Sequence, residues 1–492
     1  MELEMELRKG STVYFVGIAG TGMAAVAGLL QEAGFKVVGS DAGIYPPMST
    51  MLDELKIKVY SPYDSKNIDH AKPDICVIAN ALSRGNVELE HVLTKGLPYT
   101  SFPAICGEQF IKDRIGVVVT GTHGKTTTTS LLAHALHSLG EDPSFVIGGI
   151  PRNFTRSFRL GSGKTFAIEG DEYDTAYFDK GPKFLHYHPH HLIVNNIEFD
   201  HADIYKNVEA IEDQFVKLCA LVPATGRIFA NTDDPGVQNL LKRTGTDPRF
   251  IRVATTGNDP LGMVKVLSYG VKSATAELQV WTLKIKTLTL GTVDLDTTLT
   301  GKHNIANVAQ VVACLESLNS LGHLVTPLTV GRLQAALTSF KPPQRRLDYL
   351  GSFSGIDVYE DFAHHPTAVE LVIEGFKQSF PKKRLIVAFE PRNATSRRNT
   401  FQNDYIKKLA GADRVLIGHC PVDQRIPEAE RMNTKAIAQG IGSKATAFST
   451  NEELLAAVVN EVASGDAVIF MSSGSFSGVQ YRLTDQLKGQ ST

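Results

Sequence analysis

Residues 117–127 read Val-Val-Val-Thr-Gly-Thr-His-Gly-Lys-Thr-Thr, and this stretch decides the fold around it. A β-branched run ends in a turn with two glycines, and a helix-like segment follows. This layout predicts a phosphate-binding loop, because backbone N–H groups at a helix N-terminus hold phosphate oxygens. We expect Lys125 to contact the β- and γ-phosphates of a nucleoside triphosphate and Thr126 to ligate Mg²⁺.

The glycine spacing of this loop is short. Two residues separate Gly121 from Gly124, whereas the common Walker sequence has four between its glycines. A chance Gly-x-x-Gly-Lys-Thr match is the alternative. The position directly after a strand and before a helix makes that the weaker interpretation. The loop lies well inside the chain, so we expect one unit before it and more after it.

The size and composition are those of an ordinary soluble enzyme. The 492 residues are too many for one hydrophobic core, and this length predicts roughly three domains. Apolar residues make up 42% and charged residues 21% of the chain, which is usual for a globular protein. The net charge of −2 gives no basic field that would favour nucleic acid as a partner. An anionic substrate would have to be held by local Arg, Lys and helix N-termini.

The cysteines lie far apart and form no Cys-x-x-Cys pair: they are Cys76, Cys106, Cys219, Cys314 and Cys420. An odd, scattered set predicts reduced thiols rather than a disulfide framework or a zinc site. Residues 1–10 are charged and lack the apolar core of a signal peptide. No uninterrupted apolar run reaches the roughly 18 residues of a membrane span. We therefore expect no membrane segment and a cytoplasmic protein.

The first block, residues 1–112, has a strand–helix–strand rhythm. The predicted strands cover 12–16, 36–39 and 74–79. The turn after the first strand contains three glycines, Gly17, Gly20 and Gly22. This layout is typical of dinucleotide-binding folds and predicts a bound diphosphate, from NAD or another nucleotide. Asp41, at the end of the second strand, is the expected ribose partner.

The second block, residues 113–343, continues from the phosphate loop. Its predicted strands are 115–119, 165–168 and 191–195, and its predicted helix is 301–318. A β-rich insertion is expected near residues 250–300. The segment Lys341-Pro342-Pro343 is typical of a linker.

The third block, residues 344–492, again alternates strands with helical stretches. The predicted strands are 356–359, 384–389, 414–417 and 467–471. Strands that alternate with helices predict a parallel sheet covered on both faces. Together the three blocks predict an α/β protein of three domains.

Four carboxylates follow the predicted strand 165–168, in the segment Glu169-Gly170-Asp171-Glu172-Tyr173-Asp174. Such a cluster at a strand end is costly without a cation, so it indicates a metal or metal–phosphate site. A solvated acidic turn is the alternative. The nearby His186, His188, His190 and His191 lack the spacing of a zinc signature, and phosphate chemistry favours Mg²⁺. We interpret these four as loop histidines.

Several segments resemble the Mur ligase family, the ATP-dependent enzymes that form amide bonds in peptidoglycan synthesis. The phosphate loop, Thr120-Gly-Thr-His-Gly-Lys-Thr-Thr127, is similar to the ATP loop of that family. The other similar segments are Asn195-Asn-Ile-Glu-Phe-Asp-His-Ala-Asp203, Gly301-Lys-His-Asn-Ile-Ala-Asn307, Arg345-Arg-Leu-Asp348 and Asp361-Phe-Ala-His-His-Pro-Thr367. The resemblance extends over all three blocks.

The resemblance implies a Rossmann-like N-terminal domain that holds a UDP-sugar, a P-loop ATPase-like central domain and a Rossmann-like C-terminal domain that binds the incoming peptide. It implies that ATP is bound by Gly121, Thr122, His123, Gly124, Lys125, Thr126, Thr127, His303, Asn304, Asn307, Arg346, Asp361 and His364. It places Mg²⁺ on Thr126, Glu169 and His201, with Glu172 as a weaker candidate, and implies a catalytic set of Lys125, Glu169, His201 and Arg346. The diphosphate on Gly17, Gly20 and Gly22, with Asp41, then belongs to UDP rather than NAD.

Within the family, the chain is most similar to members that join a preformed peptide to UDP-N-acetylmuramate. Segments 169–180, 183–187, 197–205 and 389–392 carry this resemblance. It implies ligation of the tripeptide L-Ala-γ-D-Glu-meso-diaminopimelate in murein recycling, with Arg392, Arg397 and Arg398 as cations for its carboxylates. A solvated basic loop is the alternative for these arginines. Lys217 lies near the position of a carbamylated lysine of several family members, but Val216 is closer to it, so Lys217 is assigned no role.

The implied chemistry begins with attack of the lactyl carboxylate on the γ-phosphate of MgATP. The tripeptide amine then attacks the resulting acyl phosphate, while closure of the third domain excludes water. Three alternatives stay open: addition of L-alanine alone, a nucleotide-dependent regulator that only hydrolyses ATP, and, from the glycine turn by itself, an NAD-dependent oxidoreductase.

Overall fold

The computed structural model describes residues 7–255 and 259–489, which form three main sheets. The sequence predicts that residues 1–10 lack the apolar core of a signal peptide. Of these, residues 1–6 lie outside the described residues. None of the helices in these ranges combines the length and the apolar composition that a bilayer crossing requires. All five cysteines are free thiols, as the sequence predicts, and only Cys420 is partly exposed.

The first sheet has five parallel strands in the order β3-β2-β1-β4-β5. The strands are β1 (Thr12–Val16), β2 (Lys36–Ser40), β3 (Lys58–Tyr60), β4 (Ile75–Ile78) and β5 (Tyr99–Thr100). The helices are α1 (Thr21–Glu32), α2 (Met48–Glu54), α3 (Ser65–Ala71), α4 (Val87–Thr94) and α5 (Phe102–Cys106). The chain order reverses at β1, so the glycine turn after β1 lies at the point where such sheets bind ligands.

The second sheet has ten strands in the order β17-β16-β15-β14-β13-β12-β6-β9-β7-β8, and β10 and β11 form a separate hairpin. The first strands are β6 (Ile115–Thr120), β7 (Ser144–Val146), β8 (Phe158–Arg159), β9 (Thr165–Gly170), β10 (Asp174–Ala176), β11 (Asp179–Pro182) and β12 (His191–Val194). The others are β13 (Arg227–Asn231), β14 (Phe250–Ala254), β15 (Val264–Ala274), β16 (Gln279–Lys286) and β17 (Thr292–Thr297). The helices are α6 (Lys125–Ser138), α7 (Val208–Leu221), α8 (Pro235–Thr244), α9 (Lys302–Ser320) and α10 (Val330–Thr338).

The β-rich insertion that the sequence predicts near 250–300 is confirmed as strands β14 to β17. Strand β14 continues the parallel sheet, and β15, β16 and β17 extend it as an antiparallel meander. Buried apolar side chains of the meander, Trp281 among them, pack in the same core as α6 and α9. The meander therefore widens one side of the nucleotide-type sheet, and its β15–β16 turn reaches the cleft through Glu277, Leu278 and Gln279.

The third sheet has six strands in the order β18-β19-β23-β20-β21-β22. The strands are β18 (Asp348–Phe353), β19 (Ile356–Asp361), β20 (Leu385–Phe389), β21 (Arg414–Ile417), β22 (Ala445–Ala447) and β23 (Ala467–Met471). The helices are α11 (Pro366–Ser379), α12 (Gln402–Leu409), α13 (Thr434–Ile441), α14 (Asn451–Glu461) and α15 (Val479–Gly489). The prediction of a wholly parallel sheet is wrong at one edge, because β18 pairs antiparallel with β19. A tight turn at Ser354 and Gly355, both with positive φ, forms that hairpin.

Direct packing joins the first two units. Phe158, on β8, lies against Gly28 in α1, where a Cβ atom would be only 2.1 Å from Phe158 Cζ. The absence of a side chain at Gly28 thus lets the aromatic ring reach the helix backbone. This contact helps to hold the glycine turn of the first sheet beside the phosphate loop of the second.

Candidate active site

A cleft of 1730 Å³ lies where loops at the carboxyl ends of strands from the three sheets meet. Its walls come from segments that follow β1, β6, β9, β12 and β19. Of the residues predicted to bind ATP, those that line the cleft are Thr122, His123, Gly124, Lys125, Thr126, Thr127, His303, Asn304, Asn307, Arg346, Asp361 and His364. Gly121 is the member of that set that does not line it. The fold therefore brings together segments that are far apart in the chain.

The phosphate loop joins β6 to α6 through two glycines in the left-handed region. Gly121 has φ +134° and Gly124 has φ +82°, conformations that other residues rarely adopt. A Cβ atom on Gly124 would also lie 2.9 Å from Asn307 Oδ1, at the start of α9. Helix α6 begins at Lys125, and no side chain of the described residues caps its N-terminus. Its first N–H groups are thus oriented for an anion.

Lys125 makes two hydrogen bonds at the bottom of the cleft. Its Nζ donates to the Gly121 carbonyl and to Glu172 Oε2, each across 2.8 Å. Asp171 Oδ1 lies 3.9 Å from the same nitrogen. Burial alone would lower the pKa of Lys125, but the carboxylates of Glu172 and Asp171 outweigh it and raise the pKa above its ordinary value. Lys125 is therefore a fixed cation at the phosphate loop.

Thr126 and Glu169 form an oxygen-rich pair beside Lys125. Thr126 Oγ1 donates to Glu169 Oε2 across 3.0 Å, and the Gly148 N–H donates to Glu169 Oε1 across 2.5 Å. Burial and the charge of Asp171 raise the pKa of Glu169 to about 6. Hydroxyl and carboxylate oxygens are the ligands that Mg²⁺ prefers, so this donor set fits the predicted cation.

His201 lies in the cleft, and the acid in contact with it is Glu172. Its Nε2 is 3.3 Å from Glu172 Oε1, and φ is +52° at this residue. Glu172 therefore connects His201 to Lys125, and the placement of Mg²⁺ on Glu169 and His201 stays a prediction. Burial alone would raise the pKa of Glu172, but Lys125 and His201 lower it to about 2. Burial alone would lower the pKa of His201, and the bond to Glu172 raises it overall.

Glu172 is thus the functional candidate that the sequence interpretation undervalued. It is 2% exposed and lies between Lys125 and His201, and its carboxylate raises the pKa of both side chains. The signal was present in the Glu-x-x-Glu spacing of residues 169–172. The chain leaves strand geometry after Gly170, and that turn brings the second carboxylate back toward the loop.

The N-terminus of α9 supplies neutral polar groups. His303 Nδ1 is buried without a hydrogen-bond partner in the described residues, and burial lowers the pKa of His303 to about 4. Asn304 Nδ2 donates to the Thr300 carbonyl across 2.8 Å, and Asn307 Nδ2 donates to Asn304 Oδ1 across 3.1 Å. A neutral imidazole with a free ring nitrogen suits the edge of a nucleobase.

The third unit contributes Arg346, Asp361 and His364. The Arg346 guanidinium lies 5.0 Å from the Phe362 ring centroid and lines the cleft. Burial lowers the pKa of Arg346, while Asp361 and Glu169 act in the opposite direction. Asp361 accepts hydrogen bonds from the N–H groups of Leu347 and Ala363, each across 2.6 Å. Asp361 therefore holds the chain that carries Arg346.

His364 and His365 continue this wall. His364 Nδ1 bonds to the Phe362 carbonyl across 2.9 Å, and burial lowers the pKa of His364 to about 4. His365 Nδ1 lies 3.1 Å from His123 Nε2, in the phosphate loop. Thr367 Oγ1 donates to Glu198 Oε2 across 2.6 Å. The sequence interpretation assigned nothing to Glu198 or His365, which connect the second and third units beside the loop.

The glycine turn of the first sheet faces the same cleft. Gly20 and Gly22 line it, and Gly17 and Asp41 do not. Asp41 Oδ2 accepts the Ala19 N–H across 2.9 Å, and Asp41 Oδ1 accepts the Gly43 N–H across 3.3 Å. Asp41 therefore fixes the turn, and its role as a ribose partner stays a prediction.

The three arginines predicted to bind the peptide differ from one another. Arg397 pairs with Asp423 across 3.0 Å, and Arg398 pairs with Glu430 across 2.8 Å. Arg392 is exposed and packs against Gly474. Ion pairs thus partly neutralise Arg397 and Arg398, and the peptide-binding role of the three arginines stays a prediction. Lys217, which was assigned no role, bonds to Gln214 Oε1 across 3.1 Å in α7 and lies outside the cleft.

The four histidines interpreted as loop residues need one correction. His191 is the first residue of β12 and is fully buried, because its side chain points into the sheet end beside His190 and His323. His191 Nδ1 accepts the Arg227 N–H across 3.1 Å, so the proton of the neutral ring is on Nε2. His186 and His188 pair with Asp179 and Glu108.

Family models match most of the chain. The Mur ligase family, catalytic domain matches residues 12–113, the Mur ligase middle domain matches 119–315 and the Mur ligase, glutamate ligase domain matches 345–474.

Individual relatives match nearly the full length. The Escherichia coli (strain K12) UDP-N-acetylmuramate--L-alanyl-gamma-D-glutamyl-meso-2,6-diaminoheptandioate ligase is 34% identical over 96% of this chain and 98% of its own. The UDP-N-acetylmuramate--L-alanine ligase of Aquifex aeolicus is 28% identical over 94% of this chain and 95% of its own. The crystal structure of a murein peptide ligase from Psychrobacter arcticus is 31% identical with a TM-score of 0.70, and the match covers 97% and 99% of the two chains. The resemblance predicted from the motifs is therefore confirmed, and the chain belongs to the Mur ligase family.

Proposed function

We propose that this chain is an ATP-dependent ligase that joins L-Ala-γ-D-Glu-meso-diaminopimelate to UDP-N-acetylmuramate in peptidoglycan recycling. The full-length similarity to enzymes named for that activity supports the choice of substrates. The single observation that carries the proposal is the shared cleft, in which the glycine turn at Gly20 and Gly22 faces the phosphate loop at Lys125 and Thr126. A UDP-sugar on the first and ATP on the second would bring a carboxylate and a γ-phosphate together.

The first step proposed is attack of the lactyl carboxylate on the γ-phosphorus. The new bond from carboxylate oxygen to phosphorus forms as the bond to the bridging oxygen breaks, and ADP leaves. Lys125 and Arg346 stabilise the charge that spreads over the phosphoryl oxygens. The peptide amine then attacks the acyl carbon, phosphate leaves, and the amine proton passes to solvent.

Thr126, Glu169 and His201 are the residues that would hold Mg²⁺, with Glu172 as the acid that orients His201. When bound, the cation would neutralise negative charge on the phosphate oxygens. Glu169 is already bonded to Thr126 and Gly148, so its carboxylate is oriented before any ligand enters.

The third unit excludes water from the acyl phosphate in this proposal. His365 contacts His123, and Thr367 contacts Glu198, so residues after β19 close over the phosphate loop.

Arg392, the exposed one of the three arginines Arg392, Arg397 and Arg398, is proposed to bind a peptide carboxylate. The proposed domains are 1–112 for the UDP-sugar, 113–343 for ATP and 344–492 for the peptide. Because both nucleotide substrates belong to the cytoplasm, that compartment is proposed as well.

Phosphate release from ATP tests this function most simply. Purified enzyme is assayed with UDP-N-acetylmuramate and Mg²⁺, and with either the tripeptide or L-alanine. We expect release with the tripeptide to exceed release with L-alanine by a large factor. Release with L-alanine alone would identify the chain as the alanine-adding ligase. Release without any acceptor would support an ATPase, and hydride transfer to a nicotinamide would support an oxidoreductase.

A further inference from the structure

Lys183 is a buried lysine in the wall of the cleft, outside the set assigned above. It follows β11 and is 5% exposed. Its Nζ lies 3.7 Å from the Tyr173 ring centroid and 3.5 Å from Asp171 Oδ2. Lysine is almost never buried without a partner, because its desolvated ammonium is costly. A function that needs the cation would explain why the fold keeps it.

The ion pair between Asp171 and Lys183 is long. A charge-assisted N–H···O bond measures about 2.7–2.9 Å, and the distance to Asp171 is 3.5 Å. Asp171 is also shared, since its other oxygen lies 3.9 Å from Lys125 Nζ. Burial lowers the pKa of Lys183, and the positive charge of Lys125 acts in the same direction. A further anion between Lys183 and Lys125 would stabilise the charged form of both ammonium groups.

Lys183 lies between the two proposed phosphate sites. Its Nζ is 5.0 Å from the Phe102 ring centroid. The same ring covers the glycine turn, where a Cβ atom on Gly22 would be 2.9 Å from Phe102 Cζ. On the other side, Asp171 links Lys183 to Lys125 of the phosphate loop. An acceptor anchored on the glycine turn would therefore extend past Lys183 toward the proposed γ-phosphate site.

We propose that Lys183 forms the subsite for the lactyl carboxylate of the acceptor. The inference rests on the proposed function and adds to it a residue that recognises the reacting group. The ammonium binds one carboxylate oxygen and leaves the other directed at the phosphate loop. Lys183 takes no part in bond making, and Asp171 and Tyr173 hold it in place.

A purely structural role is the competing explanation. Lys183 could serve only to hold the hairpin of β10 and β11 against Asp171. Such a role predicts that its loss weakens every ligand of the first unit equally. A carboxylate subsite predicts a selective loss. The two explanations are separated by ligands that differ only in the lactyl group.

The experiment compares the binding of two nucleotides by calorimetry. UDP-N-acetylmuramate has the lactyl carboxylate, and UDP-N-acetylglucosamine lacks it. The variants are Lys183→Met, which removes the charge, Lys183→Gln as a second neutral variant in case the first does not fold, and Lys183→Arg, which keeps the charge. The matched control is Lys180→Met, an exposed lysine of the same hairpin paired with Asp174.

For Lys183→Met and Lys183→Gln, we expect Kd for UDP-N-acetylmuramate to rise about tenfold or more, because a charged hydrogen bond is lost. Kd for UDP-N-acetylglucosamine should stay within about twofold, since that ligand never makes the contact. Lys183→Arg should retain most of the affinity, and Lys180→Met should match the wild type. An equal loss for both nucleotides, or no loss for either, would overturn the subsite.

The same measurements separate this inference from the proposed function. A wild-type protein that binds neither UDP nucleotide contradicts the proposed function itself. A wild-type protein that binds UDP-N-acetylmuramate, together with neutral Lys183 variants that bind it equally well, contradicts the subsite and leaves the ligase intact.

Discussion

Lys125 and Glu172 form a direct ion pair at the bottom of the cleft, with Lys125 Nζ donating to Glu172 Oε2 across 2.8 Å. The other oxygen of the same carboxylate lies 3.3 Å from His201 Nε2. One buried acid therefore connects the lysine of the phosphate loop to the histidine proposed as a metal ligand. Glu172 therefore favours the charged form of both side chains and helps to position them.

The first prediction concerns that link. Glu172→Gln removes the negative charge that raises the pKa of His201, so the pKa should fall. The measurement is an NMR titration of the His201 ring in the variant and the wild type. Asp174→Asn, in the same acidic segment and paired with Lys180, is the matched control. An unchanged His201 titration in Glu172→Gln would contradict the proposed linkage.

The second prediction tests the phosphate loop. Lys125→Ala removes the cation proposed to stabilise the transferred phosphoryl group, and ligation should fall by roughly two orders of magnitude or more. Phosphate release with both substrates present measures it. Lys217→Ala, on the exposed face of α7, should keep wild-type turnover. Turnover near the wild-type rate in Lys125→Ala, with the fold intact by circular dichroism, would be incompatible with the assigned loop.

The third prediction follows from the raised pKa of Glu169, which is about 6. Because Mg²⁺ binds the carboxylate and not the acid, the Mg²⁺ concentration for half-maximal activity should rise as the pH falls below about 6. Above that pH it should be nearly constant. Glu169→Gln should show a high Mg²⁺ requirement at every pH. A wild-type requirement that does not change between pH 7 and 5 would argue against Glu169 as a ligand.

The fourth prediction concerns stability rather than activity. His134 is buried and bonds to Ser339 Oγ across 3.0 Å, and burial lowers its pKa from 6.5 to about 4. The unfolded chain therefore binds more protons than the folded one between pH 6.5 and 4. The stability contributed is complete above pH 6.5 and is lost as the pH falls toward 4.

Urea denaturation at several pH values measures this effect. The free energy of unfolding should decrease with a slope of up to about 1.4 kcal/mol per pH unit for each such histidine. The buried His303, His364 and His365, whose pKa values are also lowered to about 4, add to the same trend. His134→Asn should reduce the slope. A slope in His134→Asn equal to that of the wild type would refute the assignment.

The local features of the site were predictable from the sequence because each is encoded by neighbouring residues. The β-branched run and glycines at 117–124 predict a strand and a loop, and both are present. The strand 165–168 places Glu169 at the carboxyl edge, beside Thr126. Since parallel strands end at a common edge, motifs in distant blocks could be expected to meet.

The partners of the charged side chains were not predictable in the same way. Arg397 is paired with Asp423, and a basic run gives no sign of an acid that comes from another loop. The contact of His123 with His365 spans 242 residues of chain. The edge strand β18 was missed because it reverses direction after a two-residue turn. These features depend on how the units pack, and no local pattern specifies that packing.

Transfer of oxygen from the acceptor to phosphate tests the central claim most directly. UDP-N-acetylmuramate labelled with ¹⁸O in its lactyl carboxylate is incubated with ATP, Mg²⁺ and the tripeptide, and the released phosphate is analysed by mass spectrometry. Activation of the carboxylate predicts one ¹⁸O atom in each phosphate released. Unlabelled phosphate, formed at the rate of peptide consumption, would contradict the account.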